Sequence, residues 1–243
     1  MFDKNNALNL INQARSKANI GVVAGFVSRK KRAVTVVAAM LAVLGVGYIG
    51  FHLYQKSAQE KYSAIFHQAL LEEERGNLQG AKEGMLVVYN AKFAPSGVKS
   101  LTSLRYAGLL LNEGSYDDAL KIYQEITDNG RYDRYIRELS GLLATKILVI
   151  KSGSNVDKAA QEATLKQVDK IESYAKILRP FIAEQKGILE MKFGNLDKSY
   201  AIFAQIISDQ NSEQSLKMRV SDIMKSLVAQ GYEVKTPIKK TDK

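Results

Sequence analysis

The sequence predicts an all-α protein, built from one membrane-spanning helix near the N-terminus and a solenoid of about four helix-turn-helix repeats. Three observations predict this architecture. Residues 33–51 carry no charge, apolar residues after residue 54 recur at helical spacing, and a short turn motif occurs four times at nearly constant intervals. We expect a basic cytoplasmic segment over 1–32, a transmembrane helix over 33–54, a repeat domain over 55–232 and a flexible basic tail over 233–243.

The charge of the chain is unevenly distributed. The net charge is +10, yet residues 1–32 hold seven Lys or Arg against one Asp, whereas residues 52–243 hold 28 basic and 24 acidic residues. Four of the N-terminal basic residues form one block, Arg29, Lys30, Lys31 and Arg32. The near balance of the larger part does not favour nucleic acid as its partner. Cysteine is absent, which excludes disulfides, thiolate metal sites and a cysteine nucleophile.

The uncharged run of residues 33–51 predicts the membrane span. It has 19 residues, nine of them Val, Leu, Ile or Phe, and a helix of that length covers ~28 Å, close to the hydrocarbon thickness of a bilayer. The basic block lies directly before it, so the N-terminus should stay in the cytoplasm. A buried core helix, a cleavable secretory signal, and a nuclear-localisation or phosphate-binding role for the basic block are the alternatives. We favour an uncleaved anchor, because the run lacks a polar stripe and the nearest small-residue site has Lys56 where a small residue is needed.

A turn motif recurs downstream of the span, with a small residue first, an apolar residue third, and Ala or Ser sixth. Its first and sixth positions are Gly76 and Ala81, Gly114 and Ala119, Ser154 and Ala159, and Gly194 and Ser199, with spacings of 38, 40 and 40 residues. Glycine allows a turn where the first helix ends, and the small residue lets the second helix approach closely. The third instance departs most, with Ser154 in place of glycine and Ile147 where a small residue is expected. Independent helical hairpins in a simple bundle are the alternative.

The second repeat, which runs from Leu104 to Tyr123 and contains Ala107, Gly114 and Ala119, resembles a tetratricopeptide repeat. The whole layout, with a basic segment, one span near residue 40 and about four repeats ending in a stretch like Gly187-Ile188-Leu189 to Gly194-Asn195-Leu196, resembles the bacterial inner-membrane YfgM-like family. That resemblance implies a periplasmic repeat domain associated with the Sec translocon and with periplasmic chaperones. It also implies a role in handling exported proteins.

In tetratricopeptide-like arrays the first helix of each repeat lines the concave face, and the register of the repeats carries that face over to this chain. The residues expected to contact a partner are Phe66, Leu70 and Glu73 in the first repeat, Leu104, Gly108, Leu111 and Asn112 in the second, and Glu184, Ile188 and Met191 in the last. The apolar members are equally compatible with a place in the core.

A second candidate for partner binding is the pair Tyr132 and Tyr135, which alternates with Arg131 and Arg134. Tyrosine and arginine are frequent in interface hot spots. The alternative, which we favour, is a loop between repeats whose tyrosines pack on the next helix.

The sequence offers no catalytic or metal-binding constellation. Its two histidines, His52 and His67, lack a carboxylate pair or a second histidine at metal-ligand spacing. No phosphate-binding loop, nucleophile elbow or zinc-protease motif is present, and residues 72–74 fit a solvated helix end. We therefore expect no enzyme activity, no cofactor and no metal.

The sequence thus predicts a membrane-anchored protein-interaction scaffold of the bacterial inner membrane, with its N-terminus in the cytoplasm and its repeat domain in the periplasm. Expected partners are translocon subunits, periplasmic chaperones or exported clients, and the lipid bilayer around residues 33–54. One alternative is a cytosol-facing membrane receptor or assembly factor of the same build, which the basic block argues against. Another is a nucleic-acid- or lipid-binding protein that uses the basic N-terminus, which the charge balance of residues 52–243 argues against.

Overall fold

The computed structural model describes residues 31–153 and 157–233, without the side chains of residues 31–34, 37 and 38. The predicted cytoplasmic segment up to Lys30, the third turn at 154–156 and residues 234–243 of the predicted tail lie outside the described residues. The side chains of the whole basic block, from Arg29 to Arg32, lie outside them as well. The chain divides into two units, with the boundary between Ser57 and Ala58.

The described residues form nine α-helices and no strand, which confirms the predicted all-α class. In chain order the helices are α1 (Lys31–Glu74), α2 (Leu78–Asn90), α3 (Ser96–Asn112), α4 (Tyr116–Asp128), α5 (Arg134–Lys151), α6 (Lys158–Tyr174), α7 (Arg179–Lys192), α8 (Leu196–Ser208) and α9 (Gln214–Ala229). Helix α1 begins in the first unit and ends in the second.

In the first unit, helix α1 exposes a long series of apolar side chains. The large apolar side chains described between Val36 and Tyr54 are 53% to 72% exposed. Added methyl groups at Gly45, Gly47 or Gly50 would meet no other atom within 4 Å. Among the residues that the structure describes, no helix is both long enough and apolar enough to cross a membrane.

In the second unit, consecutive helices form pairs joined by short turns. The end of α1 pairs with α2, where a methyl group on Gly84 would lie 2.9 Å from Cβ of Ala69. The next pairs are α3 with α4, α5 with α6, and α7 with α8, and α9 follows as a single helix. The first helix of each later pair packs on the pair before it, α3 on α2, α5 on α3 and α4, and α7 on α5 and α6. This order is consistent with a helical repeat solenoid.

Three of the turns within pairs share one geometry. Gly76, Gly114 and Gly194 have φ values of +81°, +80° and +78°, in the left-handed region that only glycine adopts without strain. At each turn the glycine N–H donates to the carbonyl three residues earlier at 2.9–3.0 Å, and the next N–H donates to the carbonyl five residues earlier at 2.9 Å. These Schellman bonds satisfy the last carbonyls of the first helix. The turn therefore requires the glycines that the spacing predicts.

Small residues lie where the two helices of a pair meet. The predicted positions Ala81, Ala119 and Ser199 are fully buried. In the fourth pair, a methyl group on Gly187 of α7 would lie 2.3 Å from Cε1 of Phe203 in α8. No larger residue fits there unless the phenyl ring moves.

The third pair departs from this pattern. Six residues, 152–157, separate α5 from α6, where each other pair has three. Ile147 is a fully buried core residue. The close approach falls instead at Gly141, where a methyl group would lie 2.7 Å from Cγ2 of Ile171 in α6. The small residue thus sits nearly two turns earlier in the helix than the motif predicts.

The end of α5 is also capped differently. Nζ of Lys192, in α7, donates to the carbonyl oxygens of Val149 at 2.6 Å and of Ser152 at 3.2 Å. A cationic donor suits the negative end of a helix, where the last carbonyls lack partners in the helix itself. Two carbonyls at the end of α5 thus bind a side chain from the next pair.

Three apolar clusters make up the core of the second unit. The N-terminal cluster contains Ala69, Ala81, Met85 and Leu109, the C-terminal cluster contains Phe203, Ile206, Leu216, Val220 and Leu227, and the central cluster contains Tyr123, Ile126, Ile147, Ile182, Leu189 and their buried neighbours. Tyr106 packs on the N-terminal and central clusters, and Ile188 packs on the central and C-terminal clusters. These two half-buried side chains join the three clusters.

Candidate protein-binding surface

The six apolar residues predicted to bind a partner are all half-buried. Phe66 and Leu70 pack on the N-terminal cluster, Leu104 and Leu111 on the central cluster, Ile188 on both the central and C-terminal clusters, and Met191 on the C-terminal cluster. Each of them therefore stabilises the array, and only its remaining exposed edge is open to a partner.

On helix α3 the more exposed face lies beside the predicted one. Leu101, Arg105, Gly108 and Asn112 recur at spacings of four, three and four residues, which places them on one face of the helix. We call these four residues the α3 stripe. Leu101 is 45% exposed, and Arg105 and Asn112 are exposed as well. Gly108 and Asn112 belong to the predicted set, whereas Leu101 and Arg105 do not. Leu101 lies three residues before Leu104, so the helical spacing that identifies Leu104 and Leu111 could also have identified Leu101.

An ion pair connects the α3 stripe to the preceding repeat. The guanidinium of Arg105 donates two hydrogen bonds to the carboxylate of Glu73 in α1, one of them at 2.8 Å. The hydrogen bonds to Glu73 raise the pKa of Arg105, although partial burial opposes the shift. Glu73, which the repeat register predicts to contact a partner, is therefore bound to the neighbouring repeat. A partner at this face would meet a fixed guanidinium beside Leu101.

A second ion pair of the same kind joins α7 and α9. Arg219 donates to the carboxylate of Glu184 at 2.5 and 2.7 Å, and Glu184 is only 3% exposed. These hydrogen bonds raise the pKa of Arg219. Glu184, which the repeat register predicts to contact a partner, is thus bound to Arg219 of the same domain.

Tyr132, in the loop before α5, and Tyr135, in the first turn of α5, have different environments. Tyr132 is half-buried and packs on the central cluster, and burial raises its pKa. Tyr135 is 48% exposed at the start of α5. Asp133 between them caps the helix, because its carboxylate accepts hydrogen bonds from the N–H groups of Tyr135 at 2.8 Å and Ile136 at 3.4 Å. The favoured packing role thus holds for Tyr132, while Tyr135 is accessible beside exposed Arg131 and Arg134.

Glu138 is a buried carboxylate that the sequence interpretation missed. It is 1% exposed, and its Oε2 accepts hydrogen bonds from the N–H groups of Ile177 at 2.7 Å and Leu178 at 2.9 Å. It therefore fixes the loop between α6 and α7 to α5. Its partners lie 39 and 40 residues later in the chain, so no local motif indicates that this glutamate is buried.

The second helices carry their own polar contacts. Tyr89 of α2 donates to Glu125 of α4 at 2.6 Å, and Lys170 of α6 donates to Asp128 of α4 at 2.8 Å. Burial, followed by the hydrogen bond to Glu125, raises the pKa of Tyr89 well above its usual range. Such contacts connect second helices of neighbouring pairs.

A cleft of about 320 Å³ lies at the junction of α6, α7 and α8. Pro180, Ala183, Ile202 and Ile206 supply its apolar lining, and Glu172, Arg179, Lys186 and Asp209 supply charge. Burial lowers the pKa of Lys186, but its hydrogen bonds to Asp169 and Glu172 outweigh burial and raise the pKa overall. The charged groups of the cleft thus largely satisfy one another.

The part of the chain that the structure describes contains no group of three or more His, Cys, Asp or Glu residues placed to hold a metal ion. Its candidate functional groups are instead the exposed Leu101, Arg105 and Asn112 of the α3 stripe, the exposed Tyr135 and the cleft. Apolar, aromatic and guanidinium groups of this kind suit contact with another protein. The chain matches no known protein-family model, no curated protein and no solved structure.

Proposed function

We propose that this chain is a membrane-anchored protein-interaction scaffold, with a tetratricopeptide-like repeat domain that holds translocon subunits, periplasmic chaperones or exported proteins. The observation that carries the proposal is the α3 stripe, a partly apolar face on the first helix of a stacked helix pair. Stacked pairs present such faces as one extended surface, which is how repeat arrays bind proteins.

Residue chemistry at the stripe supports binding to a protein segment. Leu101 offers an exposed apolar side chain, and Asn112 can donate and accept hydrogen bonds. Arg105 is already oriented by Glu73, so a partner carboxylate or carbonyl would meet a donor that loses little further conformational freedom.

The proposed anchor is supported by the sequence. Residues 33–51 are uncharged and directly follow the basic block, and this order supports an N-terminus in the cytoplasm and a repeat domain on the opposite side of the membrane, which we propose is the periplasm. A periplasm-active reporter fused after Lys243 should be active, and a cytoplasm-active reporter at the same place should be silent. A silent periplasm-active reporter together with an active cytoplasm-active reporter would contradict the proposed periplasmic location.

Photocrosslinking in intact membranes tests the binding surface. A photoreactive residue at Leu101 or Asn112 should capture translocon subunits, chaperones or exported proteins, which mass spectrometry would identify. Val87 of α2 is a matched control, because it is 55% exposed but lies on a second helix. Equal adducts at Val87, or none at the two stripe positions, would contradict the proposal.

A further inference from the structure

Helix α5 has an accessible face that corresponds to the α3 stripe. Five exposed or half-buried residues recur along it at spacings of four, three, four and four, and they are Tyr135, Leu139, Leu142, Lys146 and Ile150. At about 100° per residue these side chains lie within about 80° of one another around the helix. We call them the α5 stripe. Four helices, α3, α4, α6 and α7, pack on α5, and this narrow face remains accessible.

One spacing of 34 residues relates the two stripes. Each residue of the α3 stripe is followed 34 residues later by a member of the α5 stripe. The close approach at Gly141 has the same spacing, because it lies 34 residues after Ala107, another small buried residue. The spacing of 40 that the turn motif gives would instead lead to Thr145 and Leu148, which are buried. Since 34 residues is the length of a tetratricopeptide repeat, the α5 stripe is the equivalent of the α3 stripe in the next pair.

The α5 stripe is the more apolar of the two. Four of its five side chains are Tyr, Leu or Ile, whereas the α3 stripe has one apolar side chain, Leu101. Tyr135 is 48% exposed and Ile150 is 55% exposed, at the two ends of the row. The row spans about four turns, or ~22 Å. A row of partly exposed apolar side chains of this length suits contact with another protein.

The only charge on the α5 stripe is the ammonium of Lys146. It is exposed, and no carboxylate in the described part of the chain forms a salt bridge with it. Exposed Arg131 and Arg134, near the start of α5, likewise form no salt bridge with any described residue. The acids of the same segment, Asp133 and Glu138, accept hydrogen bonds from backbone N–H groups. The stripe therefore attracts a carboxylate from a partner.

The terminal segments of this chain have the wrong charge for the stripe. Residues 1–30 hold five Lys or Arg against one Asp, and residues 234–243 hold four Lys against one Asp. Lys146 and the two arginines would repel both segments. A complementary carboxylate is therefore better supplied by another molecule.

A helix fits the α5 stripe better than an extended segment does. An extended segment needs hydrogen-bond partners for its N–H and C=O groups, whereas a helix satisfies most of them within itself. The side chains of Leu139, Leu142 and Ile150 offer no such partners. The row also advances about once per helical turn, which matches apolar side chains three or four residues apart on a partner helix.

We infer that the α5 stripe binds an amphipathic helix of a partner protein, with the apolar face of that helix on Leu139, Leu142 and Ile150 and an acidic residue at Lys146. The inference rests on the proposed function of protein binding and names the chemistry of the partner. Because α5 packs on α3, a partner on this stripe lies on the helix next to the α3 stripe.

A labelled peptide tests the inference on the full-length protein in detergent. The probe is a designed 18-residue helix with leucines at helical spacing and glutamates beside them, and fluorescence anisotropy follows its binding. Ile150→Gln should weaken binding roughly tenfold, since one aliphatic contact is lost. Val87→Gln is the matched control, because Val87 is also 55% exposed but lies on a second helix, and it should leave binding unchanged.

A charge exchange makes the test independent of protein folding. Lys146→Glu should weaken binding of the glutamate probe roughly tenfold, and it should strengthen binding of a probe with lysines in place of the glutamates by a similar factor. A variant that only unfolds would bind neither probe. Lys166→Glu, at an exposed position of α6, should bind both probes like the wild type.

Three results with the probes would overturn the inference. They are no binding of the glutamate probe, equal loss of binding in Val87→Gln, and the same preference between the two probes in the wild type and in Lys146→Glu. Adducts at Leu101 or Asn112 without probe binding would remove the α5 stripe as a helix site while leaving the proposed scaffold function in place.

Other occupants of the stripe would overturn it as well. Anionic phospholipid vesicles that bind the wild type but not Ile150→Gln, without probe binding, would assign the stripe to a lipid surface. A dimer in sedimentation that Ile150→Gln dissociates would assign it to a second copy of this chain. Probe binding that occurs only after residues 234–243 are deleted would assign it to the chain's own C-terminal segment.

Discussion

The second and third helix pairs satisfy the last carbonyl groups of their first helices with different donors. In the second pair, Gly114 closes the turn and local N–H groups satisfy the end of α3. In the third pair, the link is twice as long, and Lys192 from the following pair binds carbonyls at the end of α5. The last carbonyls of a first helix can thus bind N–H groups of the turn itself or a side chain about 40 residues later in the chain. Only the local arrangement produces a recognisable sequence motif.

The largest difference should appear when the close approach of a regular pair is blocked. Gly187→Ala places a methyl group 2.3 Å from the Phe203 ring, and we expect it to lower the free energy of unfolding by about 2 kcal/mol. Gly153→Ala in the link of the third pair adds a methyl group that meets no atom within 4 Å and should stay within about 0.5 kcal/mol of the wild type. Urea unfolding measures both variants, and equal values would contradict a close helix contact at Gly187.

A smaller effect should follow from removing the distant cap. Lys192→Ala takes away the hydrogen bonds to Val149 and Ser152, and we expect a loss of about 1 kcal/mol. Native-state hydrogen exchange should show the loss at the last turn of α5, with little change at the end of α3. Lys198→Ala, on the exposed surface of α8, is the control. A uniform change across the array would contradict a local cap.

The smallest effect concerns alkaline pH and the end of the third pair. Burial, together with the charge of Asp128, raises the pKa of Tyr174 to about 12. The folded state therefore keeps a proton that the unfolded state loses near pH 10, so this contribution to stability is complete below pH 10 and is lost as pH rises towards 12. Tyr174→Phe should make the decline of the unfolding free energy between about pH 10 and 12 shallower. Tyr135→Phe, at a 48% exposed position, should decline like the wild type.

The sequence predicts most of the regular pairs because their determinants are local. Gly76, Gly114 and Gly194 mark the turns, and Ala81, Ala119 and Ser199 mark the buried contacts. It misplaces the small residue of the third pair, because the role of Gly141 depends on where Ile171 lies. That position depends on how α6 packs against α5, which the turn motif does not encode.

The sequence predicts which helix carries the candidate surface, but it does not predict which residues of that helix are exposed. Periodicity identifies Leu104 and Leu111, but it does not show that the central cluster covers them while Leu101 stays exposed. Likewise, Glu73 and Glu184 have the spacing of groove residues, and their arginine partners lie 32 and 35 residues later. Such pairings depend on how neighbouring repeats stack, which a single-repeat motif does not contain.

The cap supplied by Lys192 sets an order of events when the chain is synthesised from its N-terminus. The first two pairs can close as soon as their own residues have emerged, because every donor for their turns is local. The end of α5 has to wait for Lys192, and Glu138 has to wait for the N–H groups of Ile177 and Leu178. The third pair is therefore completed only after α7 has emerged, later than the first two pairs, and until then the end of α5 and the carboxylate of Glu138 lack these contacts.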